Sequence, residues 1–233
     1  MIRRDLPPPR FVDRVRAEGY RWGGEAVRRS WTALCGFGAI GPDSRAAQGF
    51  AAFGSSSIIC FPQGALTNER AISIGVGTLI ASYVTLSAGW DPDQPDLGPD
   101  VLDIGDRCLI GRGSSIVAHR SVRIGHDVWT GPGVYITDMN HGYVDLDVPI
   151  SQQYQDEAPV TIGDGSWLGT GAVVLPGVSI GRHVVVGAGA VVTHDIADRS
   201  VVVGSPARIV RRHDGTAWVD ESLRTGNESD AGA

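Results

Sequence analysis

The chain has 233 residues, 42% of them hydrophobic, enough for one sizeable core or for a solenoid with small appendages. Its formal charge of −6 argues against a broad nucleic-acid-binding face. Three cysteines, Cys35, Cys60 and Cys108, are odd in number and lack metal-ligand spacing, so reduced thiols in a cytoplasmic protein are expected.

Residues 1–33 carry eight arginines against four acidic residues, with Phe11, Val15, Trp22, Val27 and Trp31 interspersed. No apolar run there is long enough for a signal peptide or a membrane span. A partly helical segment is expected, blocked on its N-terminal side by Pro7 to Pro9 and interrupted at Gly23-Gly24. Such a segment can cap an open sheet end; the sharper alternative is weak contact with an anionic membrane surface through its arginines.

A period of six starts at Ile40 and continues through Ala46, Ala52 and Ile58. It lapses into an expected loop at 62–71 and resumes with Ile74, Ile80 and Leu86. The proline-rich, polar stretch GWDPDQPDLGPD (89–100) must lie outside a core. Ile104, Ile110 and Ile116 follow, the phase slips by two, and Ile124, Thr130 and Ile136 keep the new phase. Residues 142–158 form a second excursion, and insertions from a rigid solenoid are where binding surfaces are built.

The strictest register runs over 162–197, through Ile162, Leu168, Val174, Ile180, Val186 and Val192. Two residues before each next one stands a second small or aliphatic residue: Ser166, Ala172, Val178, Val184, Ala190. Strand alternation repeated every six residues excludes a helix, whose period is 3.6, and points to stacked triangular coils, a parallel β-helix. The 32 glycines recur at hexad corners, where the backbone turns sharply. Four segments are therefore expected: a basic cap (1–33), the β-helix (34–204), a C-terminal extension (205–213) and an acidic, disordered tail (214–233).

TDMNH (137–141), a loop of about twenty residues, VTIGDGSWLGTGAVVLPGVSIG (160–181), VVGAGAVVTHDI (185–196) and GSPAR (204–208) occur jointly. This pattern resembles the hexapeptide-repeat acyltransferases of the galactoside, maltose and colanic-acid acetyltransferase type. The resemblance covers 104–212 well, 40–100 loosely and 1–33 not at all. It implies a left-handed parallel β-helix and transfer of acetyl from acetyl-CoA to a hydroxyl of a sugar, glycan precursor or related small molecule, with no metal. It further implies a homotrimer whose active sites lie between neighbouring solenoids.

On the same resemblance His141 is the catalytic base, and neutral imidazole suits removal of a hydroxyl proton at pH 7. Its ring is oriented by Asp138, Asn140, Asp145, Asp147 or a main-chain carbonyl; the oxyanion donor, a backbone N–H, leaves no sequence signature. Thr170, Ala188 and Thr193 correspond to the coenzyme channel, and Trp167 to its reactive end, although Trp167 also occupies the hexad position of Trp129. Arg208 and Arg211 correspond to phosphate contacts, and His194 stands where relatives often carry lysine. His119 replaces an acidic residue that holds the acceptor in galactoside-type relatives; His119 and Asn140 are the candidate acceptor contacts. Asp145, Asp147, Asp156 and Glu157 are either a carboxylate-rich acceptor cleft or solvated loop charges.

Two other classes compete. A metal-dependent hydratase on the same solenoid needs three converging histidines, whereas His119, His126, His141, His183, His194 and His213 include no pair four or five apart. A non-catalytic scaffold would bind no coenzyme.

Overall fold

The computed structural model describes residues 11–154 and 156–221. Residues 1–10, with the prolines of the expected cap, Gln155, and residues 222–233 of the expected tail lie outside the described residues. The chain divides into two compact units, 1–38 and 39–233.

The described residues of the first unit form one helix, α1, Phe11–Gly38. It runs unbroken through Gly23-Gly24 and past residue 33, where the cap was expected to end. Just after the glycines, Glu25 accepts from Arg28 and Arg29, both at 2.9 Å, pairs three and four residues apart that support the turn that follows. Both pairs are exposed and add only tenths of a kcal/mol, about 0.3–0.5 each.

The second unit is a left-handed parallel β-helix with three faces. Face 1 stacks Ala52–Phe53, Ile72–Ile74, Leu102–Ile104, Val122–Ile124, Val160–Ile162 and Ser179–Ile180. Face 2 stacks Ile58–Ile59, Leu79–Ile80, Leu109–Ile110, Trp129–Thr130, Trp167–Leu168, Val185–Val186 and Ser200–Val203. Face 3 stacks Leu66–Thr67, Thr85–Ala88, Ser115–Ala118, Tyr135–Thr137, Val173–Val174 and Val191–Val192. The chain visits the faces in that order, so each coil pairs in parallel with the one above and below.

The hexad pattern sets the core directly. Ile162, Leu168, Val174, Ile180, Val186 and Val192 are at most 2% exposed, and Ser166, Ala172, Val178, Val184 and Ala190 at most 1%. Where face 1 turns into face 2, the inward residue is a valine in two coils, Val128 and Val184, and a hydroxyl residue in three, Ser57, Thr78 and Ser166, whose side chain closes the corner. Ser57 donates to the Gly75 carbonyl and accepts from Thr78 N–H; Thr78 repeats this with Gly105 and Cys108. Cys108 continues the ladder, its thiol 3.0 Å from the Gly125 carbonyl, and burial pushes that thiol up to about 11. Cys108 is thus a corner residue and inert as a nucleophile.

The same corner carries the recurring Ile-Gly-Asp. Asp106, Asp164 and the equivalent Asp198 each accept from a backbone N–H of the preceding coil, those of Val76, His126 and Arg182. Where face 2 turns into face 3, glycine is forced by close approach: a Cβ on Gly131 or Gly169 would lie 2.6 Å from the backbone N of Thr170 or Ala188.

Three expectations change. In the first coil the inward residues are Phe53 and Ile59, aligned with Ile74 and Ile80, whereas Ala52 and Ile58 point outward and Ile40 pairs antiparallel with Ile59. Alanine and serine fill the early hexads, so composition alone does not distinguish adjacent registers. The expected loop at 62–71 contains a face 3 strand, Leu66–Thr67. The expected tail starts later: Arg208–His213 turns back antiparallel on Ser200–Val203, and Trp218–Asp220 adds to it. Asp214 caps that hairpin, accepting from Thr216 and Ala217 N–H, which pulls its carboxyl down to about 2.

Candidate active site

Both insertions leave the solenoid where face 3 turns back to face 1. The two-residue phase slip falls at the same corner, in the coil between them. There Ala118–His119–Arg120–Ser121 bulges outward and frees backbone N–H groups from the ladder. Asp138, fully buried, takes three of them: His119 at 2.8 Å on one oxygen, and Arg120 at 2.8 Å and Ser121 at 2.7 Å on the other. Asp138 was expected among the groups orienting His141; its carboxylate instead holds the His119 corner.

The first insertion is tied down at its root. Asn68, one coil earlier, donates to the carbonyls of Ala88 and Asp91 at 2.7 and 2.9 Å. Gln94 accepts from Trp90 N–H at 2.9 Å, closing the turn that Gly89 opens with φ +76. The second insertion is organised by Gln153, whose amide donates to the carbonyls of Asp145 and Val148 and accepts from Asp145 N–H. A backbone bridge joins His141 to Tyr154. Asp145 uses its carboxylate on Asp147 N–H, so it too serves the loop.

The result is a cavity of about 610 Å³ lined by Trp90, Asp91, His119, Met139, His141 and Tyr154. The Trp90 and His119 rings lie against each other with centroids 4.1 Å apart and planes tilted by 35°, and Tyr154 meets Trp90 edge-on at 5.1 Å. Trp90 Nε1–H donates to Glu157 at 2.6 Å, linking one insertion to the other. Burial lowers the His119 pKa, against the opposing pull of Asp138 and Glu157, so its imidazole is neutral at pH 7. Its Nδ1 is buried without a hydrogen-bond partner among the described residues. His141 is exposed at the cavity, with its ring centroid 6.2 Å from that of Tyr154.

The candidate residues therefore fall into separate groups. His141 and His119 share the cavity; Asn140 is exposed beside it and does not line it. Thr170 and Ala188 are exposed tips at a different corner, where face 2 turns into face 3, stacked above Pro132 through the Gly171→Pro132 and Gly189→Thr170 backbone bonds. Trp167 projects from face 2 directly over Trp129. Thr193 and His194 return to the face 3–face 1 corner, their side chains 2.7 Å apart, and Arg208 and Arg211 project from the C-terminal hairpin. Sequence reasoning missed Trp90, Tyr154, Gln153 and the corner role of Asp138. The phase slip was the available signal, since a bulged corner needs acceptors for its freed N–H groups.

A site of this kind on a six-residue solenoid defines the class of the hexapeptide-repeat transferases. A family described as bacterial transferase hexapeptide (six repeats) matches residues 159–194, and one described as hexapeptide repeat of succinyl-transferase matches 101–138. WbbJ of Escherichia coli K12, named for lipopolysaccharide-biosynthesis O-acetyl transfer, is 31% identical over 194 residues, 79% of this chain and 93% of its own length. The galactoside O-acetyltransferase of Escherichia coli is 34% identical over 48% of this chain and 58% of its own. A protein of Mycobacterium tuberculosis named as an acetyltransferase is 38% identical over 47% of this chain, a match spanning only 37% of that relative. In fold the chain is similar to a variant of AntD, an N-acyltransferase from Bacillus cereus solved with a dTDP-linked amino sugar and coenzyme A: TM-score 0.63, 18% identity, 82% of this chain and 96% of that one. This chain belongs to the hexapeptide-repeat acyltransferase family.

Proposed function

We propose that the protein is an acetyl-CoA-dependent O-acetyltransferase acting on a hydroxyl of a sugar, a glycan precursor or a related small molecule. The observation that carries this is the exposed His141 imidazole at a cavity built by both insertions. His141 takes the proton of the acceptor hydroxyl as its oxygen bonds to the thioester carbonyl carbon. The C–S bond then breaks, and the imidazolium returns the proton to the departing sulfur. The base contributes about 10²- to 10⁴-fold.

The placement of the other candidates supports a site shared between subunits. His141 stands at one corner of the prism, and Thr170 and Ala188 at another, so a neighbouring copy brings small corner tips and the Arg208 and Arg211 guanidinium groups to it. Face 2 supports self-association: Ile58, Leu79, Leu109, Trp129, Trp167, Val185 and Val201 form one outward apolar ladder in register. Contiguous exposed apolar surface of this kind marks a protein contact. The outward ladder of face 1, Ser73, Asp103, Arg123, Thr161 and Ser179, is polar. The assembly proposed is the homotrimer that the resemblance implies. In this arrangement His119 contacts the acceptor within the cavity and Asn140 at its border, and Trp167, Thr193 and His194 lie along the coenzyme.

The test is release of free thiol from acetyl-CoA across sugars, glycan precursors and antibiotics, with His141→Ala beside the parent protein. Turnover that falls by about 10² or more while the coenzyme still binds establishes the base. Undiminished turnover refutes it. No turnover together with no coenzyme binding favours the scaffold.

A further inference from the structure

The two insertions that frame the cavity are chemically alike. Residues 89–100 and 142–158 each carry four acidic residues and no arginine. Against these eight carboxylates, two arginines reach the insertions, each bonded to a main-chain carbonyl: Arg70 donates to that of Gln94, and Arg120 to that of Glu157 at 3.3 Å. A phosphate entering this mouth meets the Asp91 carboxylate in the lining and comes near Glu157, which is held against the Trp90 indole, and like-charge juxtaposition is how sites reject a wrong partner.

Within the mouth, the walls are rings. Trp90 is fixed from three directions: Nε1–H on Glu157, main-chain N–H on Gln94, and one ring face on His119. It remains 39% exposed, and Tyr154 stands across it at 64% exposure. A held, half-open indole offers an apolar surface to the C–H face of a ring-shaped polyol and, through its π-cloud, attraction to an amine.

We propose that Trp90 determines acceptor specificity, forming with Tyr154 and the acidic rim a pocket for an uncharged or amine-bearing polyhydroxylated ring that carries no phosphate. This rests on the acyl-transfer reading above and narrows its acceptor. Glu157 is a positioning residue, since it acts through the indole that it holds.

The experiment compares matched acceptors on the full chain with acetyl-CoA: methyl hexosides and 2-amino-2-deoxyhexoses against hexose 1-phosphates and nucleoside-diphosphate hexoses. The expected kcat/KM is higher for the phosphate-free forms by about tenfold or more. Trp90→Ala raises KM for the methyl hexoside by about tenfold with coenzyme Kd unchanged, and Trp90→Phe recovers most of the loss. Equal or better use of the phosphorylated forms overturns the proposal, as does an unchanged KM in Trp90→Ala. Turnover of none of these acceptors by a coenzyme-binding protein overturns it as well. Titration calorimetry of the same acceptors without coenzyme separates the two claims. Acceptor binding that weakens in Trp90→Ala, in a protein that binds no coenzyme, supports the pocket and refutes acyl transfer; binding of neither overturns both.

Discussion

The coils of residues 159–197 and the corner built from residues 88–158 are made by the same core and differ in how they use single residues. In the regular coils every hexad repeats its neighbour's solution: an aliphatic residue inward, a small one at the turn, glycine where backbones touch. The insertion corner has no such redundancy. Asp138, Asn68 and Gln153 each satisfy several backbone groups that no ladder supplies. Stability is thus distributed along the repeat, whereas site geometry depends on a few unrepeated polar side chains.

This contrast can be tested at both ends. The largest effect on folding is expected inside the regular coils: Leu168→Ala, at a fully buried position, lowers unfolding free energy by about 3–4 kcal/mol in a urea titration. The folded fraction keeps its acceptor KM. His141→Ala does the opposite, reducing kcat/KM by about 10² or more with an unchanged unfolding midpoint. Asp138→Asn joins the two behaviours. It keeps the shape but weakens the hold on three N–H groups, costing about 2 kcal/mol and raising acceptor KM through His119. An unchanged urea midpoint for Asp138→Asn would remove the distinction between the corner and the repeat.

The smallest effect is a pH dependence. The His119 pKa is lowered in the folded chain by burial, from an ordinary value of 6.5. Above 6.5 both folded and unfolded chains hold a neutral ring, and nothing is lost. As pH falls below 6.5 the unfolded chain takes up the proton first, so stability declines until the folded ring also titrates. The urea midpoint is expected to drop between neutral and mildly acidic pH, and less so in His119→Asn.

The solenoid was legible because period six survives in single residues: Ile74, Ile80, Leu86, Ile104, Ile110, Ile116 and the strict run from Ile162 to Val192 all point inward. It failed at Ile58, where the neighbour Ile59 is equally aliphatic and only pairing with Ile80 decides which one is buried. The motif around His141 singled it out, and its ring stands exposed at the cavity. Trp90 and Tyr154 were not legible, because their meeting joins positions 64 residues apart across two insertions whose composition reads as loop. Asp138 carried a misleading signal, since its nearness to His141 in sequence suggested a catalytic partner, whereas its acceptors face the coil before it.

The C-terminal hairpin has a consequence of another kind. A stack of parallel strands has no intrinsic length: its last coil presents the same unpaired backbone edge as every coil before it, a template for indefinite growth by further chains. On face 2 that edge is Ser200–Val203, and it is occupied by the chain's own Arg208–His213 running the other way, itself covered by Trp218–Asp220. The reversal after Pro206 therefore covers that edge of the stack. A chain cut at residue 204 would leave this edge open, with Val201 and Val203 flanking it, and would be prone to end-to-end polymerisation.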